Sequence, residues 1–317
     1  MERGIGNDIK YCKAVLDGNG LVAIPTETVY GLAGNGLSKL AVSKIFEVKK
    51  RPFFDPLILH TDSMDKIMSF VDFMPDEAQI LAKAIWPGPL TLVLQKKALV
   101  PDLVTSGLPT VGVRIPAHPL TLELLSKLDY PLAAPSANPF KYISPTTAQH
   151  VQDQLGAYIP YILDGGACTV GVESTILGFE DGVPTVYRFG GLAVESIEAL
   201  IGTVRILTQN ETNPSAPGML KLHYAPTKKL VVDDLANLDK YLGKRLGLIT
   251  FTTFVKEAHV CRVLSPNCRL DEAANNLFAT MRELDNLDID LILAERFPDQ
   301  GLGKAINDRL YRASVKL

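Results

Sequence analysis

The sequence predicts an α/β protein of two domains, the first built around a mostly mixed sheet and the second a smaller α/β unit. Three observations lead to this expectation. Short apolar runs of strand length intermix with segments of helical spacing up to about residue 202. A polar stretch without periodicity, TQNETNPSAPGMLKLHYAPTKK, then interrupts the pattern. Beyond it strands and helices resume, and 317 residues are more than one compact domain usually needs. The expected parts are 1–204 for the first domain, 205–228 for a linker or flap, and 229–317 for the second domain.

Residues 8–18 open the chain as a helix, with Ile9, Cys12, Val15 and Leu16 at helical spacing and Gly18 and Gly20 as its stop. LVAIPTETVYGLAG reads as a short buried strand running into a loop from Pro25. AVSKIFEVKK is a helix whose Val42, Ile45 and Phe46 share a face, and LILH is a strand. DEAQILAKAIW is a helix ended by Pro87-Gly88-Pro89, and LTLVLQK is the next strand. TVGVRIPAH and PLAAPSAN are strand ends opening into loops. In SPTTAQHVQDQLG, Ser144 stands as an N-cap with Pro145 at the first helical position. YILDGG, STILGF and PTVYRFG are strand pieces, and LAVESIEALIG is a helix. In the second domain KLVVDD, RLGLITF and DLILAERF are strands, while DEAANNLFATMRELDNL and AINDRLYRAS are helices.

Composition excludes several classes. A net charge of -3 argues against a protein that coats nucleic acid nonspecifically, although one basic pocket remains compatible with it. The spacing of Cys12, Cys168, Cys261 and Cys268 fits neither a zinc site nor a disulfide framework, so free thiols in a reducing cytosol are expected. The amino terminus lacks a signal-peptide apolar core, and no apolar run reaches the ~18 residues of a membrane span. Phosphate-loop, dinucleotide, HExxH and GxSxG signatures are all missing.

Cations in unusual places carry the functional signal. In EVKKRPFFDPLILH, Lys49 follows Ile45 and Phe46 by four and three residues and so lies near the helix's inward side. Cations at a helix carboxyl end can simply complement the macrodipole. An inward cation is costly unless an anion meets it, which tilts Lys49 and Arg51 towards a site. Arg114 lies within the apolar run VGVRIP and Arg188 at the end of VYRFGG, either as internal salt bridges or as carboxylate and phosphate binders. PSAN (135–138) and EST (173–175) set hydroxyls and an amide just past apolar strands, where α/β sheets usually take ligands, although each taken separately reads first as a turn or strand cap. His60 taken alone reads first as a satisfied core histidine, and Tyr224 beside His223 is either an incidental loop aromatic or a flap residue that covers a base.

Taken in order, PTETVYGL, KxRP with PLILH, WPGPLTLVL, VGVRIPAHP, AAPSAN, SPTTA, DGG with GVESTI, and RFGG resemble the YrdC family. APGMLKLHYAP and the trailing α/β unit resemble its longer, two-domain members, the threonylcarbamoyl-AMP synthases. The resemblance implies a twisted mixed sheet with a large, positively lined concave cavity, a small Rossmann-like second domain, and a linker folded over the cavity. It implies a cytoplasmic nucleotidyltransferase that condenses L-threonine, bicarbonate (or carbon dioxide) and ATP, with magnesium, to threonylcarbamoyl-AMP and pyrophosphate. Partner transferase proteins would pass the group to tRNA adenosine beside the anticodon, and a weak contact with tRNA itself is also expected.

By motif position, Thr28, His60, Arg114, Ala134 and Ser174 would bind threonine. Arg51, Asp55, Thr110, Ser136, Asn138, Ser144, Arg188 and Tyr224 would bind ATP, and Lys49 and Arg51 would face the triphosphate as the catalytic pair. No residue is expected to ligate a metal. Asp55 departs from the family, which commonly has Asn there; a carboxylate repels phosphate and would act through magnesium or face base or ribose. An RNA-binding module using the same basic cavity and a carbamoyltransferase are the alternatives; the second usually carries zinc-binding CxxC units that this chain lacks.

Overall fold

The computed structural model describes residues 4–208, 223–241 and 243–315. The chain begins with β1 (Gly4–Gly6), α1 (Ile9–Asp17), β2 (Val22–Ile24), β3 (Gly31–Asn35), α2 (Lys39–Lys49) and β4 (Ile58–His60). It continues through α3 (Met64–Phe70), α4 (Asp76–Ile85), β5 (Leu90–Gln95), α5 (Asp102–Thr105), β6 (Thr110–Arg114) and α6 (Pro119–Ser126). Next come β7 (Leu132–Ala133), α7 (Ala148–Leu155), β8 (Tyr161–Leu163), β9 (Thr175–Glu180), β10 (Val183–Arg188), α8 (Val194–Ile201) and β11 (Arg205–Ile206). The remainder holds β12 (Leu230–Val232), β13 (Leu246–Thr250), β14 (Val260–Val263), α9 (Leu270–Asn286), β15 (Leu291–Ala294) and α10 (Gly303–Ser314).

The first eleven strands form one mixed sheet in the order β1-β8-β2-β3-β7-β4-β6-β5-β9-β10-β11. The other four form a parallel sheet, β12-β15-β13-β14. Its central strand β15 is LILA, buried at every residue, as a parallel strand covered on both faces must be. Both sheets, and the helices interspersed with them, agree with the expected fold class.

Local chemistry explains the helix that leads into the site. Ser38 caps α2 by accepting from the Ala41 amide, Val42, Ile45 and Phe46 bury one face, and Lys50 ends it in the left-handed region at φ 52°. Lys49 is 1% exposed, on the inward side that its spacing implies.

Three expectations need correction. GLAGN is a strand, β3, although its glycines carry no strand propensity; antiparallel pairing with β2 and β7 on either side makes it one. The N-cap of α7 is Thr147, whose hydroxyl accepts from the His150 amide, and Ser144 lies outside the helix. The segment 205–228 is not all linker: Arg205 and Ile206 pair with β10 as an edge strand. Residues 209–222 of that segment, with most of the expected flap, lie outside the described residues.

Each sheet has apolar clusters of its own, and one further cluster is shared between them. One apolar cluster combines Leu277, Phe278, Met281 and Ile306 of the second sheet's helices with Val29, Ile143, Val172 and Tyr224. Across the same junction Arg282 donates to the carbonyls of Ile143 and Ser144, and the Tyr142 hydroxyl donates to Asp285 at 2.7 Å.

Candidate functional site

The parallel pairing of β4 with β6 sets Ile58 beside Gly112 and His60 beside Arg114. Residues two apart share a face of a strand, so these side chains leave one face of the large sheet and form a floor. Gly112 keeps that floor open: a Cβ there would press on Ile58 Cγ1 and Thr91 Cγ2 at 3.3 Å. Loops build the walls around this floor and leave a cavity lined by polar and charged side chains.

Of the residues expected to bind ligands, Thr28, Arg51, His60, Arg114, Ala134, Ser136, Ser174, Arg188 and Tyr224 all line this cavity. They come from seven separated segments, so the fold brings together what the motifs only implied. At one end Arg114 donates to Glu27 Oε1 (2.6 Å), Thr28 Oγ1 (2.9 Å) and the Gly88 carbonyl (3.1 Å). A guanidinium has five N–H groups, so donors remain for a ligand carboxylate. The second Glu27 oxygen accepts from the Ala117 amide at 3.0 Å. His60 donates from Nδ1 to the Ile58 carbonyl at 3.2 Å; burial, then the charge of Arg114, push its pKa from 6.5 down to about 3.

Towards the other end, Arg51 donates to the carbonyls of Asp55 (3.0 Å) and Pro56 (2.8 Å) and pairs with Asp55 Oδ1 at 2.9 Å. Arg188 holds the Ser174 carbonyl and hydroxyl at 2.9 and 3.1 Å. The Ser174 hydroxyl also meets Thr91 Oγ1 at 2.8 Å. Tyr224 is completely buried, yet its hydroxyl has no hydrogen bond to any described residue, nor has Nδ1 of His223. Such buried orphans are rare in native proteins and suit a ligand's polar atoms.

Five expected residues stand outside the lining. Lys49 donates to the carbonyls of Ser136 and Asn138, both at 2.5 Å. The lone pairs its buried ammonium needs therefore come from the PSAN loop itself; burial, then Arg51, hold its pKa well below the ordinary lysine value. Asn138 turns its amide onto the carbonyls of Pro139 and Tyr142 and so shapes that loop. Asp55 is fully buried and lies behind Arg51, with Oδ1 2.9 Å from the guanidinium. Thr110 leaves the same face of β6 as Gly112 and Arg114, at the far end of the strand. Ser144 donates to Glu173 Oε1 at 2.5 Å, one residue removed from the lining.

Sequence reading passed over two acids and a distant base. Glu27 and Glu173 sit inside the quoted motifs PTET and EST but were given no role. Arg309, on α10, pairs with Glu173 Oε2 at 2.8 Å, and the two are 136 residues apart.

The carboxylates nearest the cavity do not fit a protein-held magnesium. Glu173 has both oxygens engaged, by Arg309 and by Ser144, and Asp55 sits against the Arg51 guanidinium, so the charge of each carboxylate is already met by a cation.

Fold and site together define a two-domain α/β protein with an arginine-lined cavity in its first sheet, to which His223 and Tyr224 contribute from the segment before the second domain. Comparison with known proteins gives the family. The Sua5/YciO/YrdC family, described as telomere recombination, matches residues 14–190, and the threonylcarbamoyl-AMP synthase C-terminal domain matches residues 192–315. The threonylcarbamoyl-AMP synthase of Pyrococcus abyssi is 41% identical, over 93% of this chain and 90% of its own. That of Bacillus subtilis is 40% identical, over 96% and 92%. The crystal structure of P. abyssi Sua5 complexed with L-threonine superposes with a TM-score of 0.91 at 39% identity, covering 98% of this chain and 97% of the other. The chain belongs to the Sua5/YciO/YrdC family, in its two-domain form.

Proposed function

We propose that this chain is a threonylcarbamoyl-AMP synthase, a nucleotidyltransferase whose substrates are L-threonine, bicarbonate (or carbon dioxide) and ATP. The observation that carries the reading is the convergence of Arg51, Arg114 and Arg188 with the hydroxyls of Thr28, Ser136 and Ser174 in one cavity. The likeness to a relative whose structure holds L-threonine supports it.

In this reading Arg114, fixed by Glu27 and Thr28, takes the threonine carboxylate through its remaining N–H groups. Threonine's amine combines with bicarbonate, losing water, to give N-carboxy-threonine. Its carbamate oxygen attacks the α-phosphorus of ATP in line, and pyrophosphate leaves. No covalent enzyme intermediate is required. Arg51 and Arg188 stabilise charge on the phosphates, and closure by Tyr224 keeps water from the labile carbamate. Lys49 contributes by holding Ser136 in place, using two of its three N–H donors on the carbonyls of Ser136 and Asn138. Magnesium, as the counter-ion carried in by ATP, has no protein carboxylate assigned to it. A cytoplasmic location and delivery of the product to transferase proteins acting on tRNA complete the proposal.

One assay tests it. The full chain is incubated with ATP, magnesium, bicarbonate and each amino acid in turn, and adenylates are identified by mass. Threonylcarbamoyl-AMP formed with threonine is the expected product. Its absence, or equal yields with unrelated amino acids, overturns the reading.

A further inference from the structure

We propose that Arg309 of α10 is a positioning residue for the cavity: it neutralises Glu173 in the wall, so that an anionic substrate can be seated beside a carboxylate. This rests on the proposed function, because it concerns how the polyphosphate is admitted.

Glu173 is a paradox in a pocket meant for anions. It lines the cavity, is 6% exposed, and would repel a polyphosphate if left bare. Both oxygens are occupied, Oε1 by the Ser144 hydroxyl at 2.5 Å and Oε2 by Arg309 Nε at 2.8 Å. Burial alone would raise the carboxyl's pKa, yet Arg309, Arg188 and the Ser144 hydroxyl together hold it below its ordinary value. The acid therefore stays charged and is cancelled by a cation from the other domain.

The same guanidinium reaches further. Its Nη2 donates to the Phe189 carbonyl at 2.9 Å, next to Arg188, and its centre lies 4.9 Å from the Tyr224 ring. Asp308 fixes it from behind at 2.6 Å and also accepts from Arg312 at 2.8 Å. One side chain of α10, entirely shielded from solvent, thus touches the acid, the arginine-bearing loop and the aromatic lid residue. Docking of the second domain and neutralisation of the wall become one event.

Full-length Arg309→Met, Glu173→Gln and the double variant test this, with steady-state kinetics for ATP and threonine and with calorimetric titration of inorganic tripolyphosphate. Arg309→Met is expected to raise the KM for ATP and weaken tripolyphosphate by roughly tenfold or more, with the KM for threonine changed far less. Adding Glu173→Gln should recover most of that loss, because the uncompensated charge is gone. A merely structural role predicts that both KM values move together and that the second substitution rescues nothing; either result overturns the proposal. Should Arg309→Met not fold, Glu173→Gln alone decides: tripolyphosphate binds several-fold tighter if the acid opposes the anion, and unchanged or weaker affinity refutes it. Tripolyphosphate binding is read without turnover, so a wild-type chain that makes no adenylate would fail the functional reading while this test still runs.

Discussion

Two buried arginine–glutamate pairs flank the cavity, and they are built differently. Arg114, the last residue of β6, and Glu27, in the loop between β2 and β3, both belong to the large sheet, and each is further tied by Thr28 or by the Ala117 amide. Arg309 and Glu173 join different domains, and their contact exists only while α10 is docked. The first pair is a fixture of the fold, set whenever the large sheet forms. The second makes the charge of the wall depend on the position of a neighbouring unit. A pair inside one domain serves orientation, whereas a pair across a junction can also carry information about assembly.

Breaking the first pair should have the largest effect. Arg114→Ala leaves Glu27 buried and unpaired, at a cost of about 3–5 kcal/mol in urea unfolding. Threonine-dependent pyrophosphate release should fall by roughly 100-fold or more. An unchanged KM for threonine in the folded variant would remove Arg114 from that role.

Acid probes the first pair through His60, which stands beside Arg114. The pKa of His60 is lowered from 6.5 to about 3, so the unfolded chain takes up its proton first. Stability from this group is complete above pH 6.5 and is lost as pH falls towards 3, amounting to about 2 kcal/mol by pH 5. His60→Asn should flatten thermal stability across that window, and equal acid sensitivity in both proteins would show that other groups dominate.

Lys49→Met tests the loop that both ends of the cavity share. Loss of two carbonyl bonds should destabilise the protein by about 1–3 kcal/mol, with activity falling as Ser136 drifts. A higher KM for ATP at undiminished stability would instead put the ammonium on phosphate. Tyr224→Phe should have the smallest effect on folding. Its hydroxyl has no hydrogen bond to any described residue, so stability should stay within about 1 kcal/mol or rise. The KM for ATP should grow several-fold if the hydroxyl meets the nucleotide.

How far the sequence spoke depended on the range of each signal. Lys49 was readable as an inward cation because Ile45 and Phe46 fix the buried face of its helix within one turn. What satisfies it was not, since its partners are backbone carbonyls of a loop about ninety positions away, and carbonyls leave no mark in a sequence. Ser144 illustrates a competing local rule: Ser-Pro looks like a helix start, but Thr147 takes that place and frees the serine for Glu173. Arg309 carried the same kind of signal as Lys49, three residues after Ile306 and one before Leu310 on a buried face. It was missed because its acid lies in the other domain. The order of the motifs, read as a family resemblance, announced the cavity, while the pairing of β4 with β6 and the docking of α10 decided which side chains reach it.

Gly171 adds a mechanical side to this picture. At φ +79° it lies so close to α9 that a Cβ would stand 2.4 Å from the Asn275 Cα and 2.8 Å from the Ala274 oxygen. Main chain therefore rests on main chain, two positions before Glu173. Any side chain at position 171 would have to push α9 off the segment that leads into Glu173 and Ser174, so a single glycine sets how closely the C-terminal unit can sit against the chamber wall.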